Sequence, residues 1–217
     1  MFDTALTVKD LIFLAKGAGM TIFVTAISVF FGTILGIVFG VVRFQVGPWW
    51  AAPLTFVLDI FRSIPLLIQL VLANAFVTTV LGFRISGLSV ACGVLSLYTS
   101  AYCAEIVRGG IEAVPPTLRR ASRSLGLTWG QDMTNIVLPL ATRVALPSWI
   151  GLALGVMKDS ALVFIVQVVE LLKSTQILIT RLQEPLFLLF ICGLFYFVIS
   201  FPVARLGGYL EKRWTND

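Results

Sequence analysis

The feature that most limits how this chain can fold is its series of uncharged, apolar segments, each long enough to cross a lipid bilayer. The clearest covers residues 20–42, which include no charged side chain. About 20 helical residues span the hydrocarbon core, and lipid offers the backbone no hydrogen bonds, so such segments must be helical. We therefore predict an all-α membrane protein with one domain over residues 1–217. Five transmembrane helices are predicted at approximately 18–42, 53–82, 87–108, 144–171 and 186–206, with a polar turn at 170–184 before the last.

The composition of the 217-residue chain argues against several other classes of protein. Hydrophobic residues make up 58% and charged residues 12%, which does not fit a soluble domain. The net charge of +5 is not gathered into a basic patch with aromatic side chains, so nucleic acid is not a predicted partner. The chain has no histidine and three scattered cysteines, so we predict no metal site and no histidine-based catalysis. It lacks a G-x-x-x-x-G-K-[S/T] loop, so we predict no ATP hydrolysis by that chemistry and no cofactor in this chain.

The distribution of Lys and Arg among the loops predicts the orientation. Five spans place the two termini on opposite sides of the membrane, and cytoplasmic loops carry an excess of Lys and Arg. We therefore predict an extracytoplasmic N-terminus, with the loop at 112–141 and the C-terminus in the cytoplasm. One side carries Arg43, Arg108, Arg119, Arg120, Arg123, Arg143, Arg205, Lys212 and Arg213, and the other carries Lys9, Lys16, Arg84, Lys173 and Arg181.

The loop at 112–141 contains the pattern of a short amphipathic helix. Pro116 stands near its start and Gly126 at its end, which is usual helix punctuation. A helix of about ten residues is marginal alone in water, so we predict that it docks on this chain or on another protein. One face is predicted to hold Leu118, Ala121, Ser122 and Leu125, and the other Arg119, Arg120 and Arg123.

Two features of the predicted spans concern helix packing. Gly32, Gly36 and Gly40 are spaced by four residues, and such a stripe lets a second helix approach closely. Pro65 lies inside the second span, where it frees a backbone carbonyl and permits a kink.

Four sequence blocks resemble permease subunits of bacterial polar amino-acid ABC importers, the histidine/glutamine/glutamate type. ABC importer permeases have a cytoplasmic motif that reads E-A-A, three residues, Gly, nine residues and I-x-L-P. Here R-A-S at 120–122, Gly126 and I-V-L-P at 136–139 have that spacing, with Arg120 and Ser122 departing from the motif. The other blocks are F-R-S-I-P-L at 61–66, A-Y-x-x-E-I-x-R-G-G-I at 101–111 and K-D-S-A-L at 158–162.

The resemblance implies a type I ABC importer permease fold, with multiple spans in the bacterial inner membrane and a cytoplasmic coupling helix. The implied partners are an ABC ATPase dimer that binds ATP and Mg, a second permease subunit (identical or homologous) and an extracytoplasmic solute-binding protein that delivers a polar amino acid. The alternatives are a permease of another ABC importer class (methionine or phosphate type), a partner-independent transporter and an integral membrane enzyme. Coupling to the ATPase would use Leu118, Arg119, Arg120, Ala121, Ser122, Leu125 and Gly126.

Polar residues inside the second to fourth spans are candidates for a substrate pathway. Charged groups are costly within a membrane, and an amino-acid substrate would need a carboxylate for its ammonium and a cation or helix end for its carboxylate. Alternatively the charges form structural pairs, Lys158 with Glu105 or with Asp159. For Asp59 and Arg62 we predict a structural pair or a gate near the cytoplasm. The candidates for the pathway are Asn74, Ser100, Cys103, Glu105, Lys158, Asp159 and Ser160.

Overall fold

The computed structural model describes residues 6–82 and 85–215, so that Arg84, one of the charges used to predict the orientation, lies outside the described part. The described residues form helices and no strand. The α-helices are α1 (Val8–Gln45), α2 (Gly47–Ser63), α3 (Leu66–Ala75), α4 (Gly87–Glu112), α5 (Pro116–Ser124), α6 (Trp129–Asp132), α7 (Leu138–Asp159), α8 (Leu171–Leu182) and α9 (Pro185–Thr215). Short π-helical segments follow α3 (Phe76–Val80) and precede α7 (Met133–Val137), and a 3-10 helix (Ser160–Val166) follows α7.

The helices long and apolar enough to cross a membrane match the predicted fold class. Four of them are α1, α4, the run Trp129–Val166 and the part Pro185–Arg213 of α9. The fifth span is a pair, α2 and the run Leu66–Val80, whose axes differ by 105°. The all-α membrane fold with five spans is confirmed, and its second span is broken into two helices.

The glycine stripe of α1 is packed directly against α4, as its spacing predicted. A Cβ atom built on Gly32 would lie 2.5 Å from Cβ of Thr99, and one on Gly36 would lie 2.5 Å from Cβ of Cys103. Gly40 faces the same helix, with a backbone oxygen of α4 2.8 Å from its missing Cβ. The contact between α1 and α4 therefore depends on the lack of side chains on one face of α1.

The break between α2 and α3 is stabilised by the side chain of Gln69, a polar residue of the predicted second span. Pro65 has no N–H, so the carbonyl of Phe61 lacks the partner it would have in a continuous helix. Nε2 of Gln69 donates to the carbonyls of Phe61 and Ile64, at 2.7 Å each. Gln69 is buried, and its amide takes over the role of the missing backbone donor.

The end of the fourth span differs from the predicted range of 144–171. Helix α7 ends at Asp159, and the apolar residues beyond it form the 3-10 helix Ser160–Val166. Gln167 then adopts a left-handed conformation, with a φ of 65°, which turns the chain away from the helix axis.

The predicted polar turn at 170–184 is mostly the helix α8. The carboxylate of Glu170 accepts hydrogen bonds from the backbone N–H groups of Leu172 and Lys173, at 2.7 Å each, and so caps the helix. The apolar face of α8, which includes Leu171 and Leu178, packs against α1 and α9. Ser174 and Thr175 are buried on the same helical face as these leucines, and the reading as a turn overlooked the apolar residues spaced through the segment.

Candidate functional site

Helix α5 is a short helix of nine residues, bounded as its sequence predicted. Pro116 is its first residue, and Gly126 follows its end with a φ of +75°, a conformation that residues with a side chain rarely adopt. Leu127 N donates to the Ser122 carbonyl at 3.1 Å, which closes the last turn. The helix thus ends sharply before α6.

Only part of the predicted apolar face of α5 is buried. Ser122 is buried, whereas Leu118 and Leu125 are exposed, Leu125 at 81%. Arg119, predicted on the opposite face, points toward the rest of the chain, with its Cζ 5.0 Å from the ring centroid of Phe44. The reason is the nearby carboxylate of Asp132, which attracts hydrogen-bond donors to the inner face.

Asp132 lies in the same loop, at 112–141, and was missed by the sequence analysis. It is 2% exposed, and its Oδ1 accepts a hydrogen bond of 2.6 Å from the Ser122 hydroxyl. Its Oδ2 accepts from Nε of Arg119 at 3.4 Å. Because no residue pattern in the loop marks an acidic residue as buried, only the three-dimensional contacts identify this group.

Glu105 is at the centre of a network of charged side chains from α1, α2 and α4. Its Oε2 lies 3.0 Å from Nη1 of Arg43 and 3.2 Å from Nη1 of Arg62. Its Oε1 pairs with Arg108, which also binds Glu112. The predicted pair of Asp59 and Arg62 is present within this network. The members of this charge network are Arg43, Asp59, Arg62, Glu105, Arg108 and Glu112.

A line of polar groups continues from the charge network along one face of α4. Tyr98, Tyr102 and Glu105 are spaced by four and three residues, so they share this face. The two tyrosine rings lie 4.8 Å apart, and the Tyr102 hydroxyl donates to the Arg62 carbonyl at 3.3 Å. Tyr98 interacts with the carboxylate of Asp159 at the end of α7. This polar face therefore connects two of the candidate residues, Glu105 in the charge network and Asp159 at the end of α7.

Lys158 makes no ion pair with any residue that the structure describes, and its side chain is exposed. The alternative of a pair between Lys158 and Glu105 is therefore wrong, because arginines from three helices already surround Glu105. The pair with Asp159 is also not formed within ion-pair distance. Lys158 is left as a free cation beside the carboxylate of Asp159.

The remaining candidates lie away from the polar face. Ser100 and Ser160 are buried, and their hydroxyls donate to the helix carbonyls of Leu97 and Met157 at 2.7 Å each. Cys103 is buried against the glycine stripe. The seven candidates therefore form no single cluster.

Asn74 lines a polar cavity of about 560 Å³ at the end of α4 opposite to the charge network. Thr78, Ser86 and Gln167 line the same cavity. Ser86 precedes α4 and Glu105 lies 19 positions later, which corresponds to about 28 Å along a helix. Asn74, a residue of α3, and the charge network thus lie near opposite ends of α4.

Among residues 6–82 and 85–215, no group of three His, Cys, Asp or Glu side chains could hold a metal ion. The candidate site therefore consists of a polar face with both signs of charge, together with the short helix α5, beside which leucines and arginines are exposed. Such an arrangement can bind and guide a zwitterion and can dock a second protein.

Comparisons with known proteins match both the sequence and the fold over almost the full length. The profile of the family described as binding-protein-dependent transport system inner membrane component matches residues 32–216. The chain is similar to the arginine transport system permease protein ArtQ of Bacillus subtilis, with 28% identity over 99% of this chain and 98% of that protein. A crystal structure of an amino acid ABC transporter with histidines matches with a TM-score of 0.88 and 27% identity, over 98% of this chain and 99% of the other. A methionine ABC transporter in an inward-facing conformation has a TM-score of 0.78 at 22% identity, over 94% of this chain and 99% of that one, and this likeness concerns the fold alone.

Proposed function

Because the chain belongs to the family of binding-protein-dependent transport system inner membrane components, we propose that it moves a polar amino acid across the inner membrane as the permease subunit of an ABC importer. The similarity to amino-acid permeases over nearly the whole chain favours this substrate class over the methionine or phosphate types. Membership of a family that depends on partner proteins also argues against a partner-independent transporter. The observation that carries the proposal is α5, which offers exposed leucines to a partner at the position of the coupling motif.

The energy for transport comes from separate subunits. This chain is not itself an ATPase, and we assign ATP and Mg to an ATPase dimer in the cytoplasm. A rigid helix that enters a groove on each ATPase subunit can transmit the closing motion of that dimer to the membrane helices. Alternating access follows, in which the permease opens outward to receive the amino acid from a solute-binding protein and inward after hydrolysis.

The face of α4 that carries the polar line is the proposed substrate pathway. Glu105 has 31% of its side chain exposed and Glu112 has 49%, although both lie on a helix long and apolar enough to span the membrane. Charged groups that face lipid are unfavourable, so this face requires water or another protein. A second permease subunit, identical or homologous, placed against it would enclose a polar route between the two.

At the end of this route nearer the outside, Asp159 and Lys158 offer a carboxylate and a cation to a zwitterion. The Tyr98 hydroxyl offers a hydrogen bond beside them. The charge network at Glu105 lies nearer the cytoplasm and already balances its own charges, three positive against three negative. We therefore assign substrate contact to Asp159 and Lys158, and a gating or structural role to Glu105.

The proposed topology puts the N-terminus outside and both α5 and the C-terminus in the cytoplasm. The excess of Lys and Arg at the ends of α1, α4 and α9 supports it. We expect alkaline phosphatase fused after residue 215 to be inactive and a cytoplasmic fluorescent reporter at the same site to be active. The matched control carries the same two reporters at residue 82, in the loop before α4. There the phosphatase should be active and the fluorescent reporter inactive. Active phosphatase at the C-terminus would refute the topology.

Docking of α5 on the ATPase is tested by adding a charge to its exposed face. Leu125→Asp leaves the inner face of α5 intact but places a carboxylate where an apolar groove is expected, which costs several kcal/mol in a closed interface. The substrate for the test is whichever of arginine, histidine, glutamine and glutamate most stimulates ATP hydrolysis by the complex. We expect its transport rate to fall at least about tenfold. Basal ATP hydrolysis by the ATPase and membrane insertion of the permease should persist.

The matched control is Thr134→Asp, which adds the same charge to the same loop on an exposed position outside α5. It should transport at the normal rate. Gly126→Asp is a second test variant, because it places a side chain on a left-handed residue at the helix end. Normal transport by both Leu125→Asp and Gly126→Asp would contradict the assignment of α5 as the coupling helix.

A further inference from the structure

We propose that Asp132 is a positioning residue that fixes α5 to the base of the fourth span, so that the coupling helix and α7 move as one body. The inference rests on the proposed function, since it concerns how motion received by α5 reaches the membrane. It adds a residue outside the coupling motif and identifies the contact through which the motif acts in this chain.

The contact between Asp132 and α5 is buried. Asp132 is 2% exposed and Ser122 is 1% exposed, and their 2.6 Å hydrogen bond is sheltered from water. Arg119 supplies the only cation within ion-pair distance of Asp132 among the described residues, with Nε 3.4 Å from Oδ2. A buried carboxylate is stable only when it is paired and hydrogen-bonded, so each of the three side chains depends on the others.

Helix α5 makes few other contacts with the helix bundle. Its two leucines are exposed, so the helix is not attached through an apolar face. Its inner face contributes Ser122 and the Arg119 guanidinium, which lies over Phe44 of α1. A nine-residue helix is marginal on its own, so its position is set by these contacts and by the short segments at its ends.

On the other side of the contact, the chain leads from Asp132 into α7. Asp132 is the last residue of α6, and the chain continues through Met133–Val137 into α7 without leaving a helical conformation. Met133 and Val137 are buried with Ile111 and Val114 of the segment that leads to α5. A displacement of α5 is therefore passed through Asp132 to the start of a helical run that ends at Asp159, beside the proposed substrate position.

The contact also accounts for one departure from the coupling motif. Ser122 occupies the position at which the motif has its second alanine, and its hydroxyl is the group that binds Asp132. An alanine at this position could not make the bond. Ser122 and Asp132 thus act as a pair, which suggests that this chain holds its coupling helix through a polar contact at a site where the motif has an apolar residue.

The test uses the whole complex, purified through a tag on this chain and reconstituted with its ATPase and solute-binding protein. Asp132→Ala is expected to lower the number of amino acids transported per ATP hydrolysed at least about fivefold, while the ATPase stays bound. Ser122→Ala should produce a smaller loss in the same direction. Asp132→Asn combined with Arg119→Gln keeps the shape and the hydrogen bonds without charge, and it should recover at least about half of the coupling. Asn135→Ala, which alters an exposed residue three positions after Asp132, is the control and should leave coupling unchanged.

A second readout separates positioning from a general loss of stability. Spin labels at Ser124→Cys and Thr134→Cys, both exposed positions, report the distance between α5 and the base of α7 in a background without the native cysteines. Asp132→Ala should broaden this distance distribution, and the double variant should narrow it again. Unchanged distances, or broadened distances with normal coupling, would overturn the proposal. If Leu125→Asp transports normally while the Asp132→Ala distances broaden, the contact exists but the proposed coupling function fails.

Discussion

Gly36→Leu is expected to prevent the chain from assembling into its native bundle. The missing Cβ of Gly36 would lie 2.5 Å from Cβ and 2.8 Å from Sγ of Cys103, and 3.1 Å from the backbone nitrogen of Ala104. Sγ can move by a change of rotamer, but Cβ of Cys103 and the nitrogen of Ala104 are fixed to the backbone of the facing helix and cannot move aside. A leucine at this position would push α1 away from α4 along their whole contact, since the stripe on either side of it is equally close.

The expected loss is large because the contact between α1 and α4 is the most extensive one between spans in the described chain. Overpacking a tight site costs about 1–3 kcal/mol when side chains can adjust, and more when backbones must separate. We expect Gly36→Leu to yield no monodisperse protein on size-exclusion chromatography in detergent, and Gly36→Ala to yield a reduced amount with a lower melting temperature.

The matched control is Gly19→Leu, because Gly19 lies on the same helix and has no atom within 4 Å of its missing Cβ. It should be recovered at the level of the unmodified protein. Equal recovery of Gly36→Leu and Gly19→Leu would show that the two helices can separate without loss of the fold, contrary to the packing described above.

The glycine stripe shows which part of the fold can be predicted from sequence. Spacing by four residues is a local property. It indicates that some helix will approach this face, but it does not identify that helix. That the partner is α4, at Thr99 and Cys103, follows only from the folded chain. The break at Pro65 has the same character, since proline predicts a lost hydrogen bond but not that Gln69 replaces it.

The candidate site was harder to predict because its contacts join residues that are distant in sequence. The spacing of α5 predicted a helix and its ends, yet the inner face was misjudged by assuming that apolar residues turn inward. In this loop a single buried carboxylate, Asp132, reverses that order by binding Ser122 and Arg119. The prediction for Glu105 likewise could not foresee that Arg43, 62 residues earlier, donates to it.

Glu105→Gln is expected to lower stability strongly while leaving the apparent affinity for substrate unchanged. Oxygen atoms of Glu105 face arginines of three helices, and a neutral amide would leave these cations without their shared carboxylate. Arg43, whose side chain is 7% exposed, would suffer most because it has no other carboxylate among its described partners. Removing one partner from a buried ion pair costs about 3 kcal/mol, which corresponds to a change of roughly 150-fold in a folding equilibrium.

The comparison with Asp159→Asn decides which carboxylate contacts the substrate. Asp159 makes no ion pair among the residues described, so its neutralisation should change stability little. If Asp159 binds the ammonium of the amino acid, the substrate concentration for half-maximal stimulation of the ATPase should rise at least about tenfold. Melting temperature in detergent and substrate-stimulated ATPase activity of the reconstituted complex measure the two effects separately.

The two variants are expected to show opposite patterns, because Glu105 is held by protein cations and Asp159 is free to exchange partners. An increase in the half-maximal concentration for Glu105→Gln, with a normal melting temperature, would place that carboxylate in the pathway and contradict its assignment to the charge network. Unchanged substrate dependence in Asp159→Asn would remove Asp159 from the pathway. In that case the carboxylate next to Lys158 would take no part in substrate binding. The polar face of α4 would then have to bind the amino acid through its tyrosines.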